Sequence, residues 1–108
     1  IPEEVYDLNN RNKRSNPEHM LYDVILSLKD RQECYQFFMD LCTPAELQAM
    51  EQRFEVAKLL YQGMKYNDIL DRTGASSATI SRVNKCLLYG SGGYITALER
   101  MGKEQEDG

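Results

Sequence analysis

Few side chains in this 108-residue chain are suited to covalent or acid–base chemistry. There is one histidine, His19, and three cysteines, Cys34, Cys42 and Cys86. General acid–base work needs a group set against a partner, and no serine, cysteine or acid is tied to His19 by a recognisable pattern. Beside Pro17 and Glu18, it reads as a solvated residue of a first helical turn. The cysteines are odd in number and form no C-x-x-C pair, whereas zinc sites need closely spaced ligands. No metal and no cofactor is expected, and the thiols read as reduced and mostly buried. Gly90-Ser91-Gly92-Gly93 would cradle phosphate if it followed a strand and led into Lys and Ser or Thr. It follows a helical pattern instead and reads as a hinge, so the chain is not expected to be an enzyme.

What the sequence does offer is hydrogen bonding and cationic contact, gathered in residues 66–85, YNDILDRTGASSATISRVNK. The run fits a helix-turn-helix, in which two short helices cross steeply around a turn that glycine can enter with positive φ. Gly74 takes that turn. Ile69, Leu70, Ala75, Ile80 and Val83 face inward, leaving Ser76, Ser77, Ala78, Thr79, Ser81 and Arg82 on the outside of the second helix. Small polar residues there let a helix approach base edges, and its N-terminal amides and hydroxyls meet phosphate favourably. Arg82 is suited to guanine or phosphate, Lys65, Arg72 and Lys85 stand where the nucleic-acid backbone would run, and Asn67 is a further candidate for contact with DNA. A plain packing corner has the same outline, so local charge is the discriminator.

The whole chain has 13 basic and 17 acidic residues, a net of −4, which argues against a nonspecific nucleic-acid coat protein. Between residues 58 and 85, however, Lys58, Lys65, Arg72, Arg82 and Lys85 face only Asp68 and Asp71. That window is net +3 and the remainder therefore −7, the footprint of a protein that meets DNA with one face. Hydrophobic residues are 42% and charged residues 28% of the chain, an ordinary folding composition. No apolar run approaches the roughly 18 residues that would span a bilayer, so no membrane is expected. Residues 1–14 are polar and carry both charge signs, unlike a signal peptide. The expectation is a cytoplasmic protein, nucleoid-associated when bound to DNA.

The elements that must hold this segment are helical throughout. Residues 1–16 read as a flexible arm. Asn16-Pro17-Glu18 is a helix start, and Leu21, Val24, Ile25 and Leu28 recur at helical spacing over 17–28. Asp30 and Glu33 cap a second helix whose stripe is Cys34, Phe37, Phe38 and Leu41. Thr43-Pro44-Ala45-Glu46 carries a T-x-x-E box and opens a long helix bearing Leu47, Met50, Phe54, Ala57 and Tyr61, with Val56, Leu59 and Leu60 beside them; Gly63 ends it. Short helices over 66–72 and 77–88, a break at 89–93, a closing helix over 94–101 and a tail at 103–108 complete an all-α chain of about six helices. One helical domain spans 17–102, with the helix-turn-helix at 66–88.

The chain resembles the trp repressor family, and most closely its trp-repressor-related subfamily from Gram-positive bacteria. Carrying residues are Leu41-Cys42-Thr43-Pro44, Arg53 in the long helix, and GASSATISRVNKCLLYG at 74–90; ILSLKDRQECYQFF at 25–38 looks like the subfamily's second-helix region. The resemblance covers about residues 20–102. It implies a six-helix protomer that dimerises through interlocked N-terminal helices, each subunit presenting a recognition helix to the major groove. About 85 ordered residues would otherwise leave the apolar faces of the first three helices exposed. Two-fold symmetry would set recognition helices about 34 Å apart, matching a palindromic operator.

The repressor proper takes tryptophan as corepressor, and the resemblance implies an effector pocket at Thr43, Arg53, Arg82 and Cys86. Thr43, Arg53, Thr79 and Arg82 agree with that family's pocket. Val83 stands in place of a glycine and Cys86 in place of a serine that contacts the ligand's amino group. The extra carbons and the weak sulfur donor predict no useful tryptophan binding. Arg53 and Arg82 then serve another anionic ligand, pair with acids such as Glu51 or Glu55, or meet phosphate. The expected function is a dimeric, sequence-specific DNA-binding transcriptional regulator, a repressor on this reading. The alternative is a helical protein–protein adaptor that kept the helix-turn-helix shape without reading DNA.

Overall fold

A computed structural model describes residues 16–107, and the side-chain surroundings of residues 16–103. The arm expected at 1–16 lies, apart from Asn16, outside the described residues. Six helices and no strand occur among them: α1 (Pro17–Ser27), α2 (Arg31–Leu41), α3 (Pro44–Tyr61), α4 (Tyr66–Thr73), α5 (Ser77–Tyr89) and α6 (Gly93–Asp107). The chain divides into two compact units, Ile1–Thr43 and Pro44–Gly108.

In the first unit, helix starts follow from local hydrogen bonding. The Glu18 amide donates to Asn16 Oδ1 at 2.9 Å, with Pro17 at the first helical position, where a missing N–H costs nothing. At α2 the Glu33 amide donates to Asp30 Oδ1 at 2.9 Å, and Glu33 Oε1 accepts from the Lys29 amide at 3.0 Å. The acidic pair thus satisfies one orphan donor of the helix and also the amide of the residue just before its cap. Neither helix contains a buried residue. Leu26 is 80% exposed and Leu41 53%, while Phe37 and Phe38 stack edge to face at 5.4 Å. The expected apolar stripes are present but lie open or half-open. Cys34 and Cys42 are accordingly half-buried, and Cys86 in the second unit is exposed, so the expectation of mostly buried thiols fails. Cys86 lies off the arc of α5 that faces the core. His19 is half-buried rather than solvated.

The second unit holds the core: Val56, Ala57, Leu59, Ile69, Ala75, Ile80, Val83 and Leu98. α3 packs against α4, α5 and α6, and α5 packs against α4 and α6. Burial on α3 concentrates in its C-terminal half, where the shorter helices cross it. Leu47 and Met50 are half-buried, and Tyr61 is 49% exposed, although the sequence places all three on the buried stripe. The helix closes through paired bonds, Gly63 amide to Leu60 carbonyl and Met64 amide to Leu59 carbonyl, each 3.0 Å. This is the Schellman pattern, and Met64 packs on the core as its hydrophobic partner. At the other end of the unit, Phe54 of α3 meets Tyr94 of α6, ring centres 6.3 Å apart. α6 starts at Gly93 and runs to Asp107, past the expected end at 101, so most of the segment read as a tail is helical.

Ile80 is fully buried. Truncating such a side chain removes both transfer energy and packing, so Ile80→Ala is expected to lower unfolding free energy by about 2–5 kcal/mol in a urea titration. Leu26→Ala, at an 80% exposed position, lowers it far less in the isolated protomer.

Candidate nucleic-acid interface

α4, the turn and α5 form the predicted helix-turn-helix, and its geometry follows from three kinds of contact. The first is apolar. Ile69 and Ile80 are fully buried, Val83 is 1% exposed and Ala75 4%, so one face of each helix is fixed to α3. The second is the turn. Gly74 has φ +71°, and its amide donates to the Leu70 carbonyl at 3.0 Å. A Cβ there would meet nothing within 4 Å, so the demand for glycine is one of backbone conformation alone. Thr73 braces the same corner: its hydroxyl donates to the Ile69 carbonyl at 2.7 Å and accepts from the Ala75 amide at 3.1 Å. Gln52 Nε2 of α3 donates to the Thr73 carbonyl at 3.2 Å. The turn is thus tied to the scaffold through side chains as well as through the core.

The third contact caps α5. Ser76 Oγ accepts from the Thr79 amide at 3.1 Å and donates to Thr79 Oγ1 at 3.0 Å. Ser76 stays exposed while Thr79 is half-buried, so both hydroxyls also serve the helix start. At about 100° per residue, Ser77, Ala78, Ser81, Arg82 and Lys85 share an arc of roughly 140°. All five are exposed, and Ile80 and Val83 lie on the opposite side. Lys65 is the N-cap residue of α4 and Arg72 is in its last turn. Both are exposed, as is Asn67. The ten sequence-predicted residues therefore all belong to the one unit that contains the core.

Tyr66 was not among the residues singled out in the sequence. Its hydroxyl donates to the Ser77 carbonyl at 2.7 Å and lies 3.3 Å from Ser81 Oγ. Two aromatic-to-polar contacts eleven and fifteen residues apart leave no periodic trace, although an exposed tyrosine beginning the first helix of such a unit was a visible cue.

Of the four residues expected to form an effector pocket, Arg53 is half-buried on α3, while Arg82 and Cys86 are exposed one turn apart on α5. Thr43 falls in the other unit. Cys86 lines a cleft of about 380 Å³ with Gly90, Ser91, Gly92, Gly93 and Tyr94. The break at 89–93 is shaped by close approach: a Cβ on Gly90 would collide with the Cys86 carbonyl oxygen. Val83 is committed to the core. No group of His, Cys, Asp and Glu suited to a metal occurs among the described residues, and none of their helices is long and apolar enough to cross a membrane.

The sequence profile of the Trp repressor protein family matches residues 18–102. The chain belongs to that family. Within it, the chain is 56% identical over 86 residues to the uncharacterized protein YerC of Bacillus subtilis strain 168, an alignment covering 80% of this chain and 82% of YerC. It is similar to a crystal structure of a candidate Trp repressor from Staphylococcus aureus (48% identity, TM-score 0.79, 82% of this chain and 89% of that one). A TrpR-like protein from Eubacterium eligens matches with 49% identity and TM-score 0.79, over 86% and 96% of the two chains. The fold is thus that of the Trp repressor family, whose members are regulatory DNA-binding proteins rather than enzymes.

Two substitutions separate the roles of cap and turn. Ser76→Ala removes the acceptor for the Thr79 amide and is expected to cost about 1 kcal/mol in thermal or chemical unfolding, with Ser76→Asn restoring most of it. Gly74→Ala is expected to cost about 1–2 kcal/mol through backbone strain alone.

Proposed function

We propose that this protein is a dimeric, sequence-specific DNA-binding transcriptional regulator that represses by occupying palindromic operators. The observation that carries the reading is the exposed, polar and cationic arc of α5, held by a buried opposite face and a rigid turn. Ser77, Ala78, Ser81 and Arg82 would face base edges. Ser76, Thr79, Lys65, Asn67, Arg72 and Lys85 would engage phosphate or flank it. Family membership supports both the DNA target and dimerisation. The open apolar faces of α1 and α2, with Met20, Tyr22, Leu26, Tyr35 and Leu41 half-exposed or more, support a second copy as their cover.

Gel-shift titration against genomic fragments should show saturable binding that weakens as salt rises. Arg82→Ala should weaken it by about 1–3 kcal/mol and relax preference at one base pair, while Lys85→Ala should weaken binding evenly across sequences and reduce the salt slope by about one. Sedimentation should report twice the 12.5 kDa protomer mass, and Leu26→Asp should lower that dimer's stability. Undiminished binding by a Ser77/Ser81/Arg82 triple alanine variant would remove α5 from the interface.

Tryptophan is not part of this reading as a corepressor. Val83 sits in the core and Cys86 offers only a weak hydrogen-bond donor. Calorimetry with L-tryptophan should show no micromolar binding, and a micromolar isotherm would overturn this.

One observation favours the adaptor alternative: Leu88 is 63% exposed and Tyr89 82% at the end of α5. The face from 77 to 85 is polar, however, where an adaptor would carry apolar anchors. A stable dimer that heparin fails to retain would favour the adaptor.

A further inference from the structure

The hydroxyl of Tyr66 joins the first residue of α4 to the first turn of α5. It lies 2.7 Å from the Ser77 carbonyl oxygen and 3.3 Å from Ser81 Oγ. A tyrosine hydroxyl has one proton, and a carbonyl oxygen can only accept. The shorter contact therefore takes the Tyr66 proton. The longer one must then run the other way, from the Ser81 hydroxyl proton to the lone pair of Tyr66 Oη. A serine has a single donor and two acceptor lone pairs, so a Ser81 whose proton is turned back to Tyr66 offers only lone pairs to its surroundings. Ser81 is exposed, on the arc of α5 shared with Ser77 and Arg82.

We propose that Tyr66 is a specificity-determining positioning residue: it fixes Ser81 as a hydrogen-bond acceptor, which selects, on the strand that Ser81 faces in the major groove, the base that carries an exocyclic amino group, adenine (N6) or cytosine (N4). The assignment rests on the DNA-binding reading of α5. Left to rotate, a serine hydroxyl pairs with donors and acceptors alike and discriminates little. Guanine N7 and O6 and thymine O4 are acceptors, whereas adenine N6 and cytosine N4 donate. Orienting one proton therefore converts an indifferent contact into a selective one. Tyr66 does this from the solvent side, while Ile69 and Ile80 hold the same two helices from the core side. At 40% exposure, its ring tolerates loss of the hydroxyl.

The test is selection from a randomised duplex pool with the full chain, Tyr66→Phe and Ser81→Ala, followed by titration of the enriched duplex. The wild type should enrich one base pair at a position in each half-site, and replacing its adenine by purine, or its cytosine by an analogue without the N4 amino group, should weaken binding there. Both variants should flatten preference at that position by about two- to tenfold, the scale of one net hydrogen bond. Preference elsewhere and the salt slope should be unchanged, because phosphate contacts do not involve Tyr66. A purely structural role would instead weaken all positions together and lower the melting temperature in step. Full retention of the preference in Tyr66→Phe overturns the proposal, and so does undiminished binding when the exocyclic amino group is removed from the base pair whose preference Ser81→Ala flattens. If the wild type itself enriches nothing, the DNA-binding reading falls and the proposal with it. A wild type that enriches a site which Tyr66→Phe reads unchanged leaves that reading standing and removes the role of Tyr66 alone.

Discussion

Burial of Ile69, Ile80 and Val83 against the C-terminal half of α3 is the constraint on which the rest depends. These side chains are almost wholly removed from water, each contributing roughly 1.5–3 kcal/mol by transfer, and they fix the rotation of α5 about its own axis. Once that rotation is set, the 3.6-residue repeat decides which residues face outward. The hydroxyls, Arg82 and Lys85 are external because Ile80 and Val83 are internal. The exposed polar arc of α5 is therefore a by-product of core packing, and its precision is that of a close-packed interior. Gly74, Thr73 and Gln52 then fix the crossing of the two helices, leaving little freedom between the surface and its support.

Charge adds a second level of organisation. A chain of net −4 is poorly suited to coat nucleic acid, yet the segment from 58 to 85 is net +3. The acidic remainder, net −7, opposes nonspecific association with a polyanion. On the reading that α5 meets DNA, tight association would come from short-range contacts made by a few hydroxyls and one guanidinium.

Much of this was legible in the sequence because the helix-turn-helix is written locally. Ile69, Gly74, Ala75, Ile80 and Val83 lie within fifteen residues, and their spacing encodes both the turn and the buried face. The caps at Asn16 and Asp30 are equally local. What escaped was non-local or dependent on context. The Tyr66 hydroxyl contacts depend on how steeply two helices cross. The exposure of Tyr61 depends on where α4 and α5 end along α3. The thiol of Cys86 was expected inside because cysteines usually are, but helical phase places it outside. α6 runs through Gly102 to Asp107, because an interior glycine costs a helix only about 1 kcal/mol relative to alanine and does not by itself end it. The open faces of α1 and α2 were foreseen as a pattern, since periodicity reports which side is apolar and is silent on what covers it.

The cap of α5 has a consequence for how this sequence can drift. Serine, threonine, asparagine and aspartate all serve as N-caps, and at an ordinary helix start aspartate is as good as any, being further favoured by the dipole. Position 76 opens a helix read here as facing a polyanion. A carboxylate would keep the fold and repel the phosphates, so stability and recognition rank the same four residues differently. Only the uncharged caps satisfy both. Natural variation at Ser76 should therefore be narrower than at the caps of α1 and α2, and the missing residue should be the acid.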